Sequence, residues 1–146
     1  MRWQSAMRRL FKLIRSIHSA IYRLTDGRIG SSIGKMPILI LSTRGRRSGR
    51  VHKVPLAYLM EQDAYVVIAS YRGQPRHPAW YLNLLDDPKA MVQVKGWKTS
   101  VTAQKADHEA RQRLWTSLIT RAPLYQVFQS HTKRQIPLVF LTPETN

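Results

Sequence analysis

Residues 42–55 read Ser-Thr-Arg-Gly-Arg-Arg-Ser-Gly-Arg-Val-His-Lys-Val-Pro, a basic loop bracketed by Gly45 and Gly49. Two apolar runs flank it, residues 37–41 and 54–60, both of strand length and rich in strand formers. The arrangement is a hairpin, and it commits this part of the chain to a sheet. Glycines let the turn close tightly and let its backbone approach a ligand. Arg46, Arg47, Arg50 and Lys53 supply charge and Ser48 a hydroxyl, a set suited to phosphate or carboxylate oxygens. The same residues also suit a solvated basic hairpin that binds nothing.

Further strands are expected at 64–70, 91–95, 99–103 and 136–141, alongside those at 36–43 and 53–60. Glu61-Gln62-Asp63 fits a short hairpin link. A short helix is expected at 80–85 with Pro78 near its first turn. Asp107 can cap a longer helix running to about Arg121, with Leu114, Trp115, Leu118 and Ile119 on one face. A short helical piece follows from Pro123 to Gln129. About six short, mostly antiparallel strands with peripheral helices make a mainly β, α+β chain, in the shape of a small closed barrel.

At 146 residues the chain can bury a real core as one barrel domain, residues 29–146, preceded by a segment at 1–28. In that segment Trp3, Met7, Leu10, Phe11, Ile14, Ile17, Ile21 and Leu24 recur at helical steps among arginines and lysines. The cations break up any apolar run able to span a bilayer or form a signal-peptide core. The helix either lies on an anionic membrane or docks its stripe on the barrel. Residues 25–34 form a glycine-rich connector.

A net charge of +16 calls for an anionic partner: nucleic acid, an acidic membrane or a polyanionic ligand. No nucleic-acid motif accompanies the charge, so nucleic acid is not the expected partner. Cysteine is absent, which excludes disulfides and thiolate chemistry and suits a reducing cytoplasm. The five histidines show no paired ligand spacing, and no metal site is expected.

The basic loop, Pro55-Leu56, Ala69-Ser70, the run His77-Pro78-Ala79-Trp80-Tyr81-Leu82-Asn83-Leu84 and Ile136-Pro137 occur in an order that resembles the deazaflavin-dependent nitroreductase family, over about residues 30–142. The resemblance implies a split β-barrel and a hydride transfer from reduced coenzyme F-420 to an apolar acceptor such as a quinone or nitroaromatic compound. A barrel that binds flavin mononucleotide, or another anionic or lipid-like ligand, without reductase activity is the alternative. By the same resemblance Arg46, Arg47, Ser48 and Arg50 would hold the coenzyme's phosphate. Pro55, Leu56, Ala69, Ser70, Trp80 and Asn83 would line or support its ring, and Tyr125 and Phe128 would face the substrate. Each has a plainer reading: Leu56 and Trp80 as core, Asn83 as a helix hydrogen-bonder, Tyr125 as packing. No catalytic side chain is assigned, because a hydride donor brings its own chemistry. The chain departs from the family pattern at Val51-His52, Ala57, Tyr71-Arg72 and Phe128. The absence of cysteine suits a cytoplasmic protein, with the inner face of the membrane as a place of work if the first helix binds lipid.

Overall fold

The computed structural model describes residues 32–33 and 36–145; the expected helix at 2–24 and the boundary at 28 lie outside them. Seven strands appear: β1 Ser32–Ile33, β2 Met36–Arg44, β3 Val51–Glu61, β4 Ala64–Ile68, β5 Lys89–Val94, β6 Trp97–Lys105 and β7 Leu138–Pro143. Six of them close antiparallel in the order β2, β3, β4, β7, β6, β5 and back to β2. β1 is a two-residue addition to the start of β2. Closure leaves the main sheet without a free edge. Three α-helices are described: α1 Ala79–Asp86, α2 His108–Arg121 and α3 Leu124–Ser130.

The apolar runs are continuous because the strands are buried on both faces. Leu39, Leu41, Val54, Tyr58, Val67, Val92, Val101, Val139 and Leu141 fill one cluster. Trp80, Tyr81 and Leu84 of α1 pack into it. The alternate residues Met36, Ala57, Leu59, Val66, Ile68 and Leu138 join a second cluster with Leu114 and Leu118 of α2. Each fully buried aliphatic side chain contributes about 1.5–3 kcal/mol of transfer free energy, so both faces stabilise the barrel.

The ends of the strands differ from the sequence expectation for local reasons. β3 begins at Val51 rather than near 53, because the Gly45 N–H donates to the Arg50 carbonyl at 2.7 Å and closes the loop there. β4 ends at Ile68 rather than 70: the Ala69 N–H turns to the Pro137 carbonyl (2.9 Å) and leaves the ladder. β7 starts at Leu138 because Pro137 has no N–H to offer a strand. Two helices precede β7, the longer one and the short piece expected after Pro123. Asp107 caps α2 as its position suggested, accepting from the Ala110 N–H at 2.9 Å.

Candidate active site

The 45–50 loop, the start of β3, the segment after β4 and the first turn of α1 surround a cleft of about 750 Å³. That size suits a cofactor-scale ligand. One side is cationic: Arg46, Arg47 and Lys53 line it, and Arg72 joins them from the segment after β4. Another side is apolar, built from Val54, Pro55, Leu56, Ile68 and Trp80. No carboxylate is among the lining residues.

The loop is shaped by its glycines. A Cβ on Gly45 would meet His52 Nε2 and Ser48 Oγ, each at 2.8 Å, so no larger residue fits without a shift. Gly49 takes φ 71°, the left-handed region where glycine carries no Cβ penalty. Its N–H donates to the Gly45 carbonyl at 2.8 Å. Ser48 Oγ accepts from the Arg50 N–H at 3.1 Å and lies 3.5 Å from His52 Nε2.

Asn83 on α1 fastens this loop to the barrel. Its Oδ1 accepts from both the Arg46 N–H and Arg46 Nη1, each at 3.2 Å. Its Nδ2 donates to Thr43 Oγ1 of β2 at 3.1 Å. Asn83 is 4% exposed and Thr43 2%, so the bond between them is shielded from competing water, while those to Arg46 are partly buried. The reading of Asn83 as a hydrogen-bonder and its reading as part of the site describe one arrangement.

Of the residues expected at the site, Arg46, Arg47, Ser48, Pro55, Leu56, Ser70, Trp80 and Asn83 all line the cleft. Arg50 does not; it lies exposed at the loop's far end. Ala69 is fully buried behind the wall, in the barrel cluster. Tyr125 and Phe128 stand outside the lining set, edge to face with centroids 5.9 Å apart, against the second cluster. Burial pushes the Tyr125 phenol up to about 12, so it stays protonated at neutral pH.

Several lining residues were not among those expected to form the site. His52 lies in the cleft; its place within the basic run at 42–55 was the available signal. His77, by contrast, bonds through Nδ1 to Arg134 Nη1 at 3.2 Å and is not among the lining residues. Arginine only donates, so Nδ1 accepts and the ring proton sits on Nε2. Burial, with the charges of Arg134 and Lys105, lowers the His77 pKa and keeps the ring neutral. Tyr71 and Arg72 also line the cleft, at φ 44° and 54°. Left-handed backbone costs a non-glycine residue about 1–2 kcal/mol, and no sequence signal marked either residue for it.

Replacing Asn83 by Ala strands the Arg46 N–H and the Thr43 hydroxyl. An orphaned buried group costs about 1–3 kcal/mol, so the thermal midpoint should fall by several degrees. Amides of the 45–50 loop should exchange faster than in the wild type. A midpoint and loop exchange equal to wild type would remove Asn83 from this role.

The chain is similar to several known proteins. A Mycobacterium tuberculosis protein described as an F420H(2)-dependent quinone reductase is 40% identical over 130 residues, spanning 86% of this chain and 87% of its own. A solved structure described as an F420-H2 dependent reductase superposes with a TM-score of 0.65 at 33% identity, covering 72% of this chain and 93% of its own. Another, described as a domain-swapped dimer, superposes at 0.67 with 30% identity, covering 86% and 96%. The family model for F420H(2)-dependent quinone reductases matches residues 14–143. The chain therefore belongs to the F420H(2)-dependent quinone reductase family, and is a deazaflavin-dependent oxidoreductase with the split-barrel fold.

Proposed function

We propose that the cleft holds reduced coenzyme F-420 and admits an apolar acceptor, a quinone first and a nitroaromatic compound second. The observation that carries this reading is the make-up of the cleft: four cationic side chains and no carboxylate, beside an apolar wall. A coenzyme with an anionic phosphate and tail and a flat ring needs both surfaces. Flavin mononucleotide shares the phosphate and ring, and is the competing ligand.

When bound, the coenzyme supplies a hydride, and a quinone that takes it together with a proton becomes a hydroquinone. The chain's part is to bind and orient. Arg46, Arg47 and Ser48 would take the phosphate. Pro55, Leu56 and Trp80 would flank the ring and exclude water from it. Ser70 would stand at the ring edge, on the segment that leaves β4. His52 and Ser48, already in contact distance, are the polar groups beside the anion. No side chain need act as an essential acid or base; His77 is turned to Arg134.

Converting Arg46 and Arg47 together to Ala removes charge-assisted bonds of about 1.5–3 kcal/mol each. Affinity for reduced coenzyme F-420 should fall about a hundredfold or more, with the fold kept. The Arg46 N–H survives the change and still reaches Asn83. Titration calorimetry showing unchanged affinity would overturn the assignment.

The basic stripe at residues 2–24 supports a second proposal: a cytoplasmic protein that meets the anionic inner face of the membrane, where apolar quinones dissolve. Each cation near such a leaflet contributes about 1 kcal/mol, screened by salt. Among the described residues no helix is long and apolar enough to cross a membrane. Deleting residues 1–24 should abolish binding to anionic vesicles and preserve reduction of a water-soluble acceptor. Loss of soluble activity, with no vesicle binding by the full chain beyond a basic control, would make the segment part of the barrel instead.

A further inference from the structure

One guanidinium grips three backbone carbonyls and one side chain between Ala69 and His77. Arg134, in the segment between α3 and β7, donates Nη2 to the Ser70 carbonyl (2.8 Å) and Nε to the Gln74 carbonyl (2.9 Å). Its Nη1 reaches the Ala69 carbonyl (3.1 Å) and His77 Nδ1 (3.2 Å). Three successive residues inside this grip are left-handed: Tyr71 at φ 44°, Arg72 at 54° and Gly73 at 75°. Within the turn the Gly73 N–H donates to the Ser70 carbonyl (2.9 Å) and the Gln74 N–H to the Tyr71 carbonyl (3.1 Å). Behind it α3 presses close, since a Cβ at Gly73 would run into the Phe128 carbonyl.

Arg134 is itself braced. Its carbonyl accepts from Gln129 Nε2 at 2.8 Å. Gln129 Oε1 accepts from the Ile136 N–H (2.9 Å) and from Arg111 Nη2 (3.1 Å). Arg111, 8% exposed on α2, donates Nε to the Ile136 carbonyl at 2.9 Å. Neither guanidinium is paired with a carboxylate among the described residues. Both are held by carbonyls and amides, so hydrogen-bond geometry rather than ion pairing fixes them.

We propose that Arg134 is a positioning residue for the cleft: it clamps the left-handed turn at 71–73 and so fixes how Tyr71 and Arg72 meet a bound ligand. The inference rests on the reading of this cleft as the coenzyme and acceptor site. A turn with two non-glycine residues at positive φ persists only where its surroundings over-determine it. The planar five-donor fork of arginine can meet carbonyls spread over several residues in a fixed geometry, whereas a lysine ammonium offers three donors from a single point. Backbone strain at a ligand wall, held by a side chain behind the wall, is a means of preorganising that wall.

The test compares the full-length wild type with Arg134→Met and Arg134→Lys. Amide hydrogen exchange and titration with reduced coenzyme F-420 are the two readouts. In the Met variant, exchange at Gly73 and Gln74 should rise about tenfold or more while the strands of the barrel keep their protection. Coenzyme affinity should fall about tenfold, and the Lys variant should lie between. Unchanged exchange at Gly73 and Gln74, or a loss of protection spread over the whole barrel, would overturn the clamp. If the Met variant does not fold, the Lys variant decides by the same readout, and wild-type exchange in it overturns the clamp. Failure of the wild type to bind the coenzyme would sink the proposed function alone, since the exchange comparison needs no ligand.

Discussion

The cleft depends on one buried amide. Asn83 joins α1, on which it sits, to two neighbouring segments much earlier in the sequence: β2 through Thr43, 40 residues away, and the basic loop through Arg46, 37 away. Both ends of the amide are used, so its orientation is fixed by what it donates to and accepts from. Without it the loop would be joined to the barrel only by its two strands and free to tilt its arginines into water. With it, the Arg46 backbone and guanidinium are both referred to a helix whose Trp80, Tyr81 and Leu84 are part of the barrel core. Loop position thus inherits the rigidity of the core.

The two sides of the cleft are held by different physics. On the loop side, an amide and a set of short backbone bonds keep exposed arginines available for an anion. On the side of residues 69–77, an arginine is spent inward, on carbonyls, and orders a strained turn. A chain with +16 net charge can do this because its arginines need no carboxylate partners to be useful. Burial lowers the pKa of both Arg111 and Arg134, yet a guanidinium remains charged at any working pH. The bonds they make to carbonyls are therefore charge-assisted throughout.

The barrel was largely legible in the sequence, because strands buried on both faces write themselves as continuous apolar runs and the helix cap at Asp107 has its own signature. The basic loop was legible for the same kind of reason: two glycines around Arg46, Arg47 and Ser48 need an explanation. Asn83 came from the family resemblance, and its partners did not, since Thr43 lies 40 residues away. Arg134 carried no signal. It sits in a segment with no periodicity, 64 residues from Ser70, and a lone arginine among polar residues reads as solvated. Nor did Tyr71 and Arg72 announce a left-handed turn, for neither residue type favours one. Arg111 shares a helical face with Leu114 and Leu118, yet its charge argues for the surface; the Ile136 carbonyl and Gln129, distant in sequence, decide otherwise.

The central claim is that the cleft joining the Asn83-held loop to the Arg134-held turn is the coenzyme site. Amide chemical-shift mapping of the full chain, with reduced coenzyme F-420 and separately with flavin mononucleotide, tests it most directly. The account predicts saturable shifts at Gly45 to Arg50 and at Ser70 to Arg72, reached at lower concentration with the deazaflavin. Shifts confined to other faces of the barrel, or tighter binding of flavin mononucleotide, would contradict it.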